Sequence, residues 1–495
     1  MLIVISVASY STSVAQTIKF NYGTKKLSAI HISGDLLNSD NVVDTVTIRI
    51  LGEFGSGNLY RTADSSVSVI TAAHRFNFNF FPKTKPTYIS IQIGSPDWQG
   101  AEEILTQELI NPDDSINFIY DCKTKNIHFS GKGSEKFNWY KSMELSDVRL
   151  RDSLPKFIFD KQPAKWICNE NFRLNYHLKS LQLLRGRIDD TTYSILKADL
   201  IAQNQFYIYD LMRAWDFGIG YQRPQLDSVY KIDFYEKSLD TSSSDLLAKS
   251  GCYAIYMVNK FNTDNAYREL HHFPNEKDVY HIIKDNYIAD LRDKMLLTFL
   301  FKKYAFQELS DTLLSDAILT IENKHYVEVL KSLQRKIGKG QPIVAFAFND
   351  KNGNKFDLNK FKNKVIFIDM WFTGCGGCIA VSKALPNVEE AFKGNLNVAF
   401  VSLSIDKSRQ TWLRSINPDI HHPGIHYTTP TSIYLYTNGT GNNNEFIRRY
   451  NATSGYPRLI LIGKNGKIYS FNPPRPDAPG GSEKLILLIK QALQE

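Results

Sequence analysis

The chain has 495 residues, 43% hydrophobic and 22% charged, with five cysteines and a formal net charge of +8. These proportions belong to ordinary globular protein and exclude disordered, collagen-like and fibrous classes, while so few cysteines exclude a disulfide-dense small scaffold. The basic residues are interspersed without a long run, so nucleic-acid binding is not expected, and at roughly 150 residues per domain the length implies about three domains.

Met1–Ala15 (MLIVISVASYSTSVA) is uncharged, opens on an apolar run and closes on the small-x-small pattern Ser13-Val14-Ala15. It reads as a signal peptide cleaved before Gln16, with a buried first strand as the alternative. No later window approaches the ~20 apolar residues of a membrane-spanning helix, so an exported chain without a stable membrane span is expected.

Residues 16–140 alternate apolar and polar side chains with period two. Thr45–Leu51 sets Val46, Ile48 and Ile50 on one face, Arg75–Phe80 sets Phe76, Phe78 and Phe80, and Thr87–Ile93 sets Ile89, Ile91 and Ile93. Ser115–Tyr120 and Asn126–Ser130 add two short strands. Short alternating strands between Gly, Asn, Asp and Pro clusters predict an antiparallel β-sandwich, with a small barrel as the alternative, whose aromatic stripe is core.

Residues 141–339 change period. Asp290–Leu309 spaces Leu291, Met295, Phe299 and Phe306 for a helix, and Leu313–Ile337 continues through Ile318, Ile321, Tyr326, Leu330 and Leu333. A helical middle domain follows, ended by the linker Gly338-Lys339-Gly340-Gln341-Pro342.

Residues 340–495 alternate strands and helices. Ile343–Phe348 and Lys355–Leu358 flank a hairpin turn at Asp350–Gly353. Val365–Phe372 (VIFIDMWF) reads as a buried central strand, followed by a helix to Phe392 and a strand at Val398–Ile405. A polar insertion covers Asn417–Phe446; Arg458–Ile462 and Ile468–Phe471 form a hairpin, and Ser482–Leu493 a last helix. The pattern predicts an α/β domain around a mixed sheet.

The chemistry lies at Cys375-Gly376-Gly377-Cys378, between the buried strand and the next helix. A thiol at a helix N-terminus meets unpaired N–H groups and the positive end of the dipole, which can lower its pKa from about 8.5 toward 7. Three-residue spacing lets the second sulfur resolve a mixed disulfide formed at the first. Cys375, at an exposed tip, is expected to attack and Cys378 to resolve.

The stretch KVIFIDMWFTGCGGC (Lys364–Cys378), the hairpin before it and GYPRLILIGKNGKI (Gly455–Ile468) resemble the thioredoxin fold. More narrowly they resemble the TlpA/ResA-type thiol–disulfide oxidoreductases of bacterial envelopes, over nearly a third of the chain. The two preceding regions resemble, less specifically, the N-terminal extensions of larger TlpA-like proteins. The resemblance implies a thioredoxin-fold domain that reduces protein disulfides without a bound cofactor or metal. It implies protein thiol/disulfide substrates, a periplasmic or envelope location, and an external electron donor such as a membrane thiol-reductant carrier. Asp369 then matches the buried acid that takes up the proton of Cys378 through a water. Pro457 matches a cis-proline facing the two cysteines, with Tyr456 backbone free to pair with substrate, and Trp371 and Tyr456 would wall the substrate groove.

Two departures stand out. Gly374 occupies the place where that family commonly has Trp, and Gly376-Gly377 replaces the Gly-Pro of thioredoxin, so the direction of electron flow is left open. The helix proline is displaced to Pro386, with Lys383 in the usual place. Competing chemistries fit less well. His271-His272 and His421-His422 have no spacing tie to the cysteines for zinc, and Phe372 and Ile368 stand where a peroxiredoxin needs Thr and Pro. Cys122, Cys168 and Cys252 are either buried thiols or include a Cys168–Cys252 disulfide. An envelope binding module with an auxiliary redox domain, or a disulfide oxidase or isomerase, remain the alternatives.

Overall fold

In a computed structural model, residues 27–39, 45–54, 65–70, 74–82, 84–94, 102–157, 162–218, 243–268, 276–305, 309–417, 427–451 and 455–495 are described. The expected leader Met1–Ala15 and the paired histidines His271-His272 and His421-His422 lie outside them. Two compact units divide the chain at Asn259/Lys260, so the helical region expected as one domain is shared between them.

The first unit opens with β1 (Ile30–Leu37), β2 (Thr45–Gly52), β3 (Ser65–Ile70), β4 (Arg75–Phe80), β5 (Thr87–Ile93), β6 (Glu102–Ile110), β7 (Ser115–Asp121) and β8 (Ile127–Lys132). They form two four-stranded sheets, ordered β4-β1-β7-β8 and β3-β2-β5-β6. The alternation seen in sequence places Val46, Ile48, Ile50, Phe76 and Phe78 in one buried cluster with Phe118 and Phe129. The pairing is not wholly antiparallel as expected, because β1 runs parallel to β7. Long intervening chain permits this, since parallel neighbours cannot be joined by a tight hairpin.

Helices α1 (Ser134–Ser153), α2 (Pro163–Leu181), α3 (Asp190–Gly218) and α4 (Ser244–Lys249) complete this unit, and α5 (Tyr253–Arg268) spans the division. Leu181, Ile195 and Leu196 from the helices join the β core. A buried ion pair ties α1 to the sheet: Lys136 Nζ donates to Asp114 Oδ2 at 2.6 Å. Cys168 is exposed, Cys252 is buried, and neither forms a disulfide, which corrects the possible pairing between them.

The second unit contains α6 (Glu276–Asn286), α7 (Ala289–Ala305), α8 (Asp311–Thr320) and α9 (Lys324–Ile337). Leu291, Met295 and Phe299 are buried as their spacing requires. The helical spacing over Leu313–Ile337 is divided between α8 and α9, with a break at Ile321–Asn323. There Asn323 caps α9, and Asp293 Oδ2 accepts the backbone N–H groups of Glu322 and Asn323, both at 2.8 Å. Local capping outbids the apolar period.

A seven-stranded mixed sheet follows, ordered β10-β9-β13-β12-β11-β14-β15. Its strands are β9 (Ala347–Asn349), β10 (Lys355–Asp357), β11 (Val365–Trp371), β12 (Val398–Ser404), β13 (Ile433–Tyr436), β14 (Arg458–Ile462) and β15 (Ile468–Ser470). All seven residues of β11 are buried, as the apolar run requires. The strand pairs parallel with β12 and antiparallel with β14. Strand β13 lies within the segment expected as a polar insertion. Helices α10 (Gly376–Glu390), α11 (Arg409–Ile416), α12 (Glu445–Tyr450) and α13 (Gly481–Gln494) flank the sheet. Val381, Leu385 and Val388 of α10 share a core with Val365 and Phe367 of β11 and with Leu485 and Ile489 of α13. Pro386 stands inside α10, at the shifted position.

Candidate active site

Strand β11 delivers the chain into a tight loop, Phe372-Thr373-Gly374, and α10 begins at once. Asp406, just past β12, clamps that loop by accepting from Thr373 N at 3.0 Å and Thr373 Oγ1 at 2.8 Å. Gly374 has φ +94°, a left-handed conformation that disfavours the Trp otherwise common there, although space around it is open. Its N–H donates to Tyr427 Oη at 2.7 Å.

Cys375 is the N-cap of α10, and its Sγ accepts the N–H of Cys378 at 3.2 Å. A donor aimed at that sulfur and the helix dipole both favour negative charge on it. Cys375 and Cys378 are joined as a disulfide. Cys375 retains 6% exposure and Cys378 none, so Cys375 is the more accessible sulfur-bearing residue without standing at an exposed tip. The cluster of Tyr427, Trp412 and Tyr436 around it accounts for the difference.

Trp371 belongs to that cluster and not to a groove wall. It is fully buried, its ring stacks on Tyr427 at 4.2 Å, and its Nε1–H donates to Ser402 Oγ at 2.7 Å. Core packing is its role, because a strand buried on both faces leaves the indole no route to solvent. Tyr456 is half-buried; its ring meets the exposed Phe372 edge-on at 5.6 Å and its hydroxyl donates to Asn442 Oδ1 at 2.7 Å. The Tyr456–Pro457 bond is cis, and a Cβ placed on Gly377 would lie 3.2 Å from Pro457 Cδ and 3.9 Å from the Tyr456 carbonyl oxygen. Pro457 and the Tyr456 backbone therefore face the Cys375–Cys378 turn.

Asp369 is buried at 4% exposure, and its Oδ1 lacks a protein hydrogen-bond partner. Burial pushes its carboxyl up to about 7; Arg475 pulls it down and Asp477 pushes it up. A carboxyl there can hold or release a proton near neutral pH. Arg475, outside the expected set, donates through Nη2 to the Gly377 carbonyl at 3.4 Å. Asp406, Tyr427 and Arg475 had weak sequence signals: an acid closing an apolar strand, one tyrosine in a polar stretch, and a charge in a proline-rich loop.

Residues 338–483 match the Redoxin family. A crystal structure described as a thiol-disulfide oxidoreductase from Bacteroides vulgatus is 28% identical, covering 31% of this chain and 98% of that one, with TM-score 0.25. A solution structure described likewise, also from Bacteroides vulgatus, is 34% identical over 31% of this chain and 91% of that one, with TM-score 0.25. A crystal structure described as the thiol:disulfide interchange protein DsbE from Chlorobium tepidum is 20% identical, covering 32% and 99%, with TM-score 0.25. No curated protein matches the chain.

Proposed function

With a Redoxin domain over residues 338–483, this chain is an oxidoreductase, and we propose that it reduces protein disulfides through Cys375 and Cys378. The observation that carries this reading is the Cys375–Cys378 disulfide at the N-terminus of α10, with the Cys378 N–H aimed at Cys375 Sγ. In the reduced form the Cys375 thiolate attacks one sulfur of a substrate disulfide. The substrate S–S bond breaks, one substrate thiolate leaves, and a mixed disulfide forms. Cys378 then gives its proton to Asp369 and attacks Cys375 Sγ. The second substrate thiolate leaves, and the Cys375–Cys378 disulfide remains. Two electrons pass to the substrate, and an external dithiol donor returns them. Pro457 and the Tyr456 backbone offer an edge on which an extended substrate chain can pair.

The placement is the cell envelope, in a TlpA/ResA-type protein recharged by a membrane thiol-reductant carrier, and it rests on the motif. Among the described residues no helix is long and apolar enough to cross a membrane. The residues preceding 340, with a β-sandwich at their start, choose the partner. Insulin reduction by Cys375→Ser and Cys378→Ser variants tests the mechanism: both lose turnover, and unimpaired turnover in either overturns it. Equilibration with glutathione fixes the direction of electron flow.

A further inference from the structure

Strand β11 is buried along its whole length, yet the residue that follows it, Phe372, is 38% exposed. Among the described residues of 260–495 it is the only large aromatic side chain left exposed. Slack backbone does not account for this. The Phe372 carbonyl accepts the Cys375 N–H at 3.2 Å, while Asp406 and Tyr427 hold the N–H groups of Thr373 and Gly374. One tight turn therefore runs from Phe372 to Cys375, and the side chain at its start stands at a fixed offset from the dithiol.

The Phe372 ring meets Tyr456 edge-on, at 5.6 Å and 83°. Tyr456 is itself anchored, its hydroxyl donating to Asn442 Oδ1 at 2.7 Å, and it precedes Pro457, which faces Gly377. Beside Cys375 the chain is bare. Gly374 and Gly376 are exposed, and a Cβ on either would meet nothing within 4 Å. Charge is not on offer at the turn either: Arg475, which reaches the Gly377 carbonyl, is bound to both carboxylate oxygens of Asp477. Two rings and open space thus border the dithiol.

We propose that Phe372, paired with Tyr456, is a specificity-determining residue that selects disulfides whose attacked cysteine is flanked by an aromatic or bulky apolar residue. The proposal deepens the disulfide-reductase reading and rests on it. A substrate sulfur that reaches Cys375 brings its chain along the Tyr456 edge, and extended chain advances only about 3.3 Å per residue. The neighbour of the attacked cysteine therefore falls within reach of the Phe372 ring. Their contact takes apolar surface of both partners out of water and adds an aromatic pair where the neighbour is aromatic. Backbone pairing at Tyr456 is blind to side chains, so Phe372 supplies the discrimination.

The test mixes the full-length protein, prereduced and freed of reductant, with symmetrical disulfide-linked pentapeptides carrying Phe, Ala or Glu on both sides of the cysteine. The readout is the second-order rate constant for release of peptide thiol. Each constant is divided by that of the same peptide with dithiothreitol, which removes intrinsic reactivity. Wild type favours the Phe peptide over the Ala peptide about fivefold. That ratio falls to about one in Phe372→Ala and in Phe372→Gln, which keeps side-chain length, and survives in Phe372→Trp. An inactive fraction of a variant cancels in the ratio, so poor folding does not mimic its loss. Equal wild-type rates for the Phe and Ala peptides, a Glu peptide faster than the Phe peptide, or an undiminished ratio in Phe372→Ala overturns the proposal and leaves the reductase reading standing. Failure of the wild type to reduce any of the peptides overturns that reading, and the proposal with it.

Discussion

Asp369 combines a structural cost with a proposed chemical use. Its carboxyl is raised from 3.8 to about 7 by burial, so folding favours the protonated form. Its contribution to stability is full below about pH 4 and is lost as pH rises through about 7, because the native state must then bury a charge or keep a proton the unfolded chain releases. Asp369→Asn should therefore leave stability little changed at pH 4 and raise it by a few kcal/mol at pH 8, checked by denaturant unfolding at both values. The same variant should slow release of reduced substrate roughly a hundredfold. Trp371 separates packing from recognition. Trp371→Phe removes the bond to Ser402 and some core volume, so it should lower stability by about 1–3 kcal/mol while leaving KM for a disulfide substrate unchanged. A raised KM at unaltered stability would return Trp371 to the substrate groove.

At the scale of elements, buried charge fixes how segments join. Lys136 and Asp114 are almost wholly buried, and Asp114 Oδ2 also accepts the Asn111 N–H at 2.7 Å. Lys136→Met leaves the carboxylate buried without its cation and should cost about 3–5 kcal/mol, read as a lower denaturant midpoint. Helix break 321–323 has a similar origin. Asp293 sits one turn into α7 and takes two N–H groups from the α8–α9 connection, so a carboxylate distant in sequence ends one helix and starts another. Apolar periodicity located the helical stretch over Leu313–Ile337 but could not locate this break, since the acceptor is supplied by another helix. Strand β13 escaped for a related reason: Tyr434 and Tyr436 pair with Ser402 and Ser404 of β12, a register no local pattern announces.

At the scale of the molecule, the division at 259/260 changes where the redox unit begins. Arg458, directly after the cis-proline, is fully buried, and its guanidinium lies over the rings of Tyr304 and Phe471. It donates to Asn451 Oδ1 at 3.3 Å and to the Tyr304 carbonyl at 3.4 Å. Tyr304 belongs to α7, outside residues 340–495. A fragment of residues 260–495 should melt cooperatively. One of residues 340–495 loses the Tyr304 ring and carbonyl around a buried cation and should melt several degrees lower. Equal melting temperatures for the two fragments would show that α6–α9 add nothing to this unit. The 260–495 fragment is also the right one for asking whether the preceding residues select the partner, because it removes them without stripping Arg458.

Sequence by itself determined the β-rich start, the helical stretches, the α/β end and the Cys375–Cys378 pair, because periodicity, turn residues and spacing are local properties of a chain. Cys375 and Cys378 needed no tertiary knowledge, as three-residue spacing at a strand-to-helix junction already brings two sulfurs within reach. Tertiary structure alone decided that Trp371 is core, that Cys375 is nearly buried, that Cys168 and Cys252 stay apart, and that Arg475 reaches Gly377. Each depends on burial or on a partner distant in sequence, and desolvation and charge act through space without regard to chain order.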